Sequence, residues 1–279
     1  MPASLGRENL LTPQIWGDID KAVKEEVGRI RVAQKVFPTV QTPDAASVPV
    51  DEYNPGAALG MVEGQTRPFI EIFFEFIVTQ AQMDNEATLH NAQKLARRAA
   101  RSVAQAEDLL IIQGGGAALP QGVQAVNAAS AGGGLLPFAA GRVRVIQIPG
   151  AAGTYRENAF TAVTGGIAGL NGVGHPGSYA LLLSPATYGD ANAPVANLQA
   201  AADRITPLMT GGFYPSGALP ANRGLLVSLG GEPTTLYLAQ DAVVSFNQRD
   251  NQGNYRFRVF ERIQYVAREA DALVRLEFE

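Results

Sequence analysis

The sequence has no cysteine and only two histidines, His90 and His175. Disulfide staples and thiolate metal sites are therefore excluded, and imidazole chemistry is confined to two positions far apart in the chain. Lysine is scarce too: Lys21, Lys24, Lys35 and Lys94 all fall in the first third, so arginine supplies most of the positive charge. Charged residues are 17% of the 279, against 46% hydrophobic, and the net charge is -4. That balance excludes a disordered chain and argues against a surface that coats nucleic acid, while leaving room for charge segregated between two faces. No uninterrupted apolar run approaches the roughly 18 residues that cross a bilayer, and the N-terminus lacks a basic-then-apolar leader, so a soluble, intracellular protein with no membrane partner is expected. Stability is expected to come from packing or assembly, with no cofactor or metal.

What is present is periodic. Thr12 followed by Pro13 has the chemistry of an N-cap and first helical residue, and Ile15, Trp16, Ile19, Ala22, Val23, Val27 and Ile30 then recur at helical spacing. Prolines and glycines make the next segment a poor helix, and 47 to 78 reads as a long two-stranded arm with a Gly-rich tip. An isolated hairpin is marginal in water, so such an arm needs cover. Its second half contains "RPFIEIFFEFIVTQAQMDNE". Ile70, Ile72, Phe74, Phe76 and Val78 share one face; Phe69, Glu71, Phe73, Glu75 and Ile77 share the other. After Asp84, alanine and leucine at steps of three and four predict one uninterrupted helix to about Ile112, with Lys94, Arg97, Arg98 and Arg101 on its remaining surface. From Gly114 to about Asn222 the composition shifts to Gly, Ala and Pro, predicting a loop-rich region, and the tail reads as strands, with "NQRDNQGN" as a hairpin connection.

Motifs for catalysis are weak. "GVGHPG" at 172–177 fits G-x-G-x-x-G literally, but it precedes a strand and opens no helix, so it reads as a turn with a surface histidine. His90 reads as solvated or partner-facing. A hydrolase using His175 with Asp190 or Asp203 has no nucleophile motif behind it. Glu71 and Glu75 lie about 13 Å apart along a strand, beyond the roughly 5–9.5 Å of a glycosidase pair, and are expected to partner arginines on a neighbouring strand or subunit. Trp16, at helical spacing with Ile15 and Ile19, reads as a packing anchor or a stacking residue.

Five segments, in order, resemble the encapsulin (linocin-like) shell proteins and with them the tailed-phage major capsid proteins of the Hong Kong 97-type fold: "NLLTPQIWGDIDKAV", "RPFIEIFFEFIVTQAQMD", "ARRAARSVAQAEDLLIIQG", "PGSYALLLSP" and the tail from "LYLAQDAVVSF" through "YRFRVFERIQYVA" to "LVRLEF". The resemblance covers nearly the whole chain. It implies an α+β fold with an N-terminal arm and helix (1–46), an extended loop (47–78), a peripheral domain (79–113 with 230–279) built on a long spine helix, and an axial domain (114–229). It implies a non-enzymatic icosahedral shell subunit whose main partner is itself. A phage or prophage capsid around DNA, with scaffold and portal proteins, is placed ahead of an encapsulin around a cargo enzyme; the setting is a virion assembled in the host cytoplasm, or a cytoplasmic nanocompartment. In such shells the extended loop lies on a neighbour, so Phe69, Glu71, Phe73, Phe74, Glu75 and Phe76 are expected at a subunit contact, the carboxylates meeting a neighbour's basic groups. Ile15, Trp16 and Ile19 are expected on the inner, cargo-facing surface. Some phage shells of this fold cross-link a lysine of the loop to a neighbour's asparagine; 47–78 has no lysine, so noncovalent contacts are expected here.

Overall fold

The computed structural model of the chain describes residues 5–7, 10–54, 60–62, 65–142, 145–148, 156–194 and 199–278. The N-terminal helix, Pro13–Ile30, starts where expected: the Thr12 side chain accepts the Ile15 N–H, and Pro13 sits where no N–H is needed. Its apolar stripe, including Trp16, Ile19, Val23 and Val27, is buried.

The helix expected to run unbroken after Asp84 is instead two pieces, Glu86–Leu89 and the spine helix Asn91–Gln113, preceded by a separate short helix Gln80–Asp84. The break is at His90, which adopts a left-handed conformation with φ 52°. That turn lets the buried Glu86 carboxylate accept the backbone N–H groups of Ala92 at 2.7 Å and Gln93 at 3.0 Å, capping the spine helix in place of a residue at its own start. The far end stops at Gly114, φ 87°, where an added Cβ would sit 2.3 Å from the Gly133 carbonyl carbon; only glycine allows this approach of two backbones.

Two five-stranded sheets organise the rest. The first has the order Thr39–Gln41, Thr234–Arg249, Tyr255–Ala267, Ile70–Val78, Val123–Val126. Its centre is the tail hairpin, turned at Asp250, whose carboxylate accepts the N–H groups of Gln252 and Asn254, both at 2.9 Å. The second has the order Gly212–Pro215, Tyr179–Leu183, Arg223–Ser228, Leu273–Phe278, Val145–Ile148. Strand Tyr179–Leu183 is buried along its whole length.

Strand membership departs from the sequence expectation in three places. Ile70–Val78 is not an arm strand but the neighbour of Tyr255–Ala267 within the first sheet. Val123–Val126 leaves the Gly-rich region to pair with it, and Leu273–Phe278 leaves the tail to join the second sheet. Periodicity identifies strands but not partners, which depend on contacts remote in sequence. The arm proper is shorter: Ser47–Pro49 pairs with Thr66–Pro68, and Glu52–Asn54 with Gly60–Val62. The Gly-rich tip at 55–59 lies outside the described residues.

The main core lies between the inner face of the first sheet, the N-terminal helix and the spine helix, and continues onto Ala180, Leu182, Leu225 and Val227 of the second sheet. A smaller core covers that sheet's other face with Leu181, Leu183 and Leu226 against helix Arg156–Gly172, through Ala159, Val163 and Leu170. "GVGHPG" is the turn after this helix, where the His175 N–H bonds to the Leu170 carbonyl.

Candidate assembly surfaces and a buried polar node

Ile70–Val78 presents two faces. Ile70, Ile72, Phe76 and Val78 are buried, and Phe76 stacks on Phe257 with centroids 5.5 Å apart. The expectation that Phe69 and Phe76 meet a neighbouring subunit is therefore corrected. Phe76 belongs to the chain's own core, and Phe69, 2% exposed, closes a small cluster with Val48, Ala239 and Val266 at the base of the arm. Phe74 is half-buried against the main core.

The opposite face remains open to solvent in the subunit. Glu71, Phe73 and Glu75 are half-exposed and Ile77 is 47% exposed. The carboxylates find partners within their own chain. Arg258 donates to Glu71 at 3.0 Å while its guanidinium lies 4.7 Å from the Phe260 ring centroid, and Asn247 donates to Glu75 at 3.1 Å. The register puts Arg262 beside Glu71 and Arg258 beside Glu75. The arginine expected from a neighbour is thus supplied to Glu71 by strand Tyr255–Ala267, and the partner of Glu75 is an asparagine of strand Thr234–Arg249.

Trp16 and Ile19 are also inside, at 6% and 1% exposure. The Trp16 ring meets Phe257 edge-on at 5.9 Å and is covered by Arg7, 4.6 Å from its centroid, which is itself held by Asp20. Ile15 is partly buried against the same core. The cargo-facing expectation is corrected for Trp16 and Ile19, whose spacing reflects packing. His175 faces Glu269 at 3.4 Å. Among the described residues, no group of three or more His, Cys, Asp or Glu could hold a metal ion, and no helix is long and apolar enough to cross a membrane.

Sequence reasoning missed the most charged part of the interior. Arg31, just past the N-terminal helix, points at Asp241 (3.0 Å), Glu107 (3.6 Å) and Glu261 (3.9 Å), the last two fully buried. Burial pushes Glu107 up to about 8, opposed by Arg31 and reinforced by Asp108. Burial and the adjacent Glu107 hold Glu261 well above the ordinary carboxylate range. The three carboxylates hold the Arg31 guanidinium above its ordinary value despite burial. Asp108 accepts the N–H groups of Val32 (2.9 Å) and Ala33 (2.8 Å); burial lifts it to about 6 against these hydrogen bonds. The node ties the N-terminal segment to the spine helix and the central hairpin. Its signal was visible as "AEDLLIIQ" and "VFERIQ", carboxylates set at positions that helix and strand periodicity assign to the core.

Comparisons with known proteins agree with this architecture. Residues 5–264 match the family described as encapsulating protein for peroxidase (Linocin_M18). The Type 1 encapsulin shell protein EncA of Myxococcus xanthus is 27% identical, over 99% of this chain and 97% of that protein. Among solved structures, a virus-like particle from Pyrococcus furiosus aligns with TM-score 0.69 at 13% identity, covering 94% of this chain and 99% of that one. A chain of Mycobacterium phage Bobi aligns at 0.63 and 18%, covering 91% and 90%, and the capsid of an empty GTA particle at 0.61 and 20%, covering 88% of each. At these identities the structures establish the fold alone, which is the Hong Kong 97-type capsid fold expected from the sequence. With the family match extending over most of its length, the chain belongs to the linocin-like encapsulating proteins.

Proposed function

We propose that this chain is a non-enzymatic, self-assembling shell subunit of the encapsulin kind, enclosing a protein cargo in a cytoplasmic compartment. The observation that carries the assembly reading is the arm. Its outer half is a two-stranded ribbon that belongs to neither main sheet, and a two-stranded ribbon is marginal in water unless something covers it. In a closed shell the cover is a neighbouring subunit. Family membership puts the protein-enclosing reading ahead of the second one, a phage or prophage capsid around DNA, which the fold neighbours equally accommodate. Purified particles analysed for protein and nucleic acid decide between these: one companion protein at fixed stoichiometry supports the first, and a long genomic DNA with no companion protein supports the second.

The open sheet face is the remaining part of the subunit contact expected from sequence, now limited to Glu71, Phe73 and Glu75, since Phe74 lies on the inner face against the main core. Phe73→Ala is expected to cost the isolated subunit only about 1 kcal/mol, because the ring is half-exposed, while lowering particle yield several-fold. Unchanged yield, measured by sedimentation, removes this face from the contact.

Lattice strength is assigned to noncovalent burial. The only basic residue of 47–78 is Arg67, and a guanidinium is a poor nucleophile for a covalent cross-link. Particles boiled in detergent are expected to run as one band near 29.5 kDa. A ladder of covalent multimers would contradict this.

A further inference from the structure

The chain as a whole is acidic, but its exposed charge is unevenly placed. Lys94, Arg97, Arg98 and Arg101 recur at helical spacing on the solvent side of the spine helix, all exposed. They span roughly 10 Å along the axis. With Ser102 they line a shallow basin of about 510 Å³ that contains no acidic residue. Lys94, Arg97 and Arg98 make no ion pair among the described residues. Arg101 donates to Glu26 at 2.9 Å, and Glu26 also accepts from Arg29 at 2.7 Å. Burial disfavours the Glu26 carboxylate, but these guanidinium hydrogen bonds prevail and hold it below its ordinary range. One buried acid therefore joins the stripe to a second exposed arginine on the adjoining helix. The exposed acids of the N-terminal helix are otherwise engaged: Glu25 faces Lys21 at 4.0 Å, and Asp18 lies within 3.4 Å of the Gln14 amide.

We propose that this face of the spine helix binds the phosphate backbone of nucleic acid without reading its sequence. Three of the four cations are arginines, whose planar fork matches phosphate oxygens as well as carboxylates, so the choice of phosphate over an acidic protein segment rests on the surroundings. Among the described residues, none of the exposed large apolar side chains lies on either helix, so a peptide would find no apolar anchor there. The arrangement is a row of point contacts with nothing that reaches a base edge, which is the pattern of sequence-independent binding. Each subunit binds weakly, and repetition over a shell raises the total by avidity. The repetition rests on the assembly reading; the contact on a single subunit does not.

The test is to dissociate purified particles mildly and return the full chain to buffer with a fluorescent 30-nucleotide DNA, so that both faces of the re-forming shell meet the probe. DNA sedimenting with particles is measured, and anisotropy reports binding to unassembled subunits. Bound DNA is expected to fall with salt, the per-subunit affinity dropping about 40-fold between 50 and 300 mM NaCl if three cations meet phosphate. At 50 mM it is expected to fall at least tenfold in Arg97→Glu/Arg98→Glu, at unchanged particle yield, and to be retained in Arg97→Lys/Arg98→Lys. Arg97→Gln/Arg98→Gln replaces the reversal if that variant fails to reassemble. Equal DNA binding by the reversed variant, or no binding by the native chain, overturns the proposal. So does poly-glutamate binding as tightly as DNA, which would assign the face to an acidic protein. A native chain that forms no particles at all, with DNA still bound by its subunits, counts against the assembly reading and leaves this one standing.

Discussion

Replacing Phe257 with alanine is expected to cost the subunit about 3 to 5 kcal/mol, the range for emptying a fully buried aromatic site. Phe257 is fully buried near the turn end of the central hairpin, with Phe76 stacked on it at 5.5 Å, and Trp16 and Phe246 meeting it edge-on at 5.9 and 5.6 Å. Those contacts come from the N-terminal helix and from both neighbouring strands, so no single element can collapse into the gap without leaving another. Chemical denaturation of dissociated subunits measures the loss. A cost below about 1 kcal/mol would mean that the helix and the first sheet are not packed as described.

An effect of similar size is expected at the buried node, with a definite pH dependence. Arg31→Met leaves Glu107 and Glu261 buried without their shared counter-ion, and breaking a buried pair in this way costs about 3 to 5 kcal/mol. Glu107 has a folded-state value of about 8 against an ordinary 4.5, so folding favours its protonated form. Its contribution is complete below the ordinary value, declines as the pH rises between the two, and is fully lost above about 8. Glu261 acts in the same direction. Unfolding midpoints of the native chain are therefore expected to drop from pH 5.5 to pH 8.5. Glu107→Gln, which keeps the shape without the charge, should flatten this profile and raise stability at pH 8.5 by on the order of a few kcal/mol. The Arg31→Met penalty should be greater at pH 8.5 than at 5.5. A Glu107→Gln variant that is less stable at pH 8.5 would show that the ionised carboxylate and Arg31 form a net-stabilising pair.

Local chemistry made much of the fold legible. Thr12-Pro13 marked the first helix, the alanine stripe marked the spine, and "RDNQGN" marked the turn between the two long strands. The His90 break was hidden because its cap, Glu86, comes from the preceding helical turn and reads as ordinary helix surface. Surfaces were less legible than elements. Alternation separated the two faces of Ile70–Val78 correctly, yet gave no way to tell a face buried by the chain's own helices from one buried by another copy. Phe76 was consequently placed outside when it packs inside. Glu71 pairs with an arginine, Arg258, while Glu75 takes Asn247, and the choice between strand and subunit depends on a register with Arg258 and Arg262 that is set nearly 190 residues away. Glu107, Asp108 and Glu261 stood out as carboxylates in apolar runs, but their common focus, Arg31, is visible only once helix and hairpin are folded together.

The central claim, that this subunit closes into a shell through contacts between copies, is tested most directly by sedimentation velocity and electron microscopy on the purified full chain, expressed alone and with its companion genes. Closed, uniform particles of megadalton mass are predicted, with no metal or nucleotide added. A stable monomer near 29.5 kDa under both conditions would contradict the account.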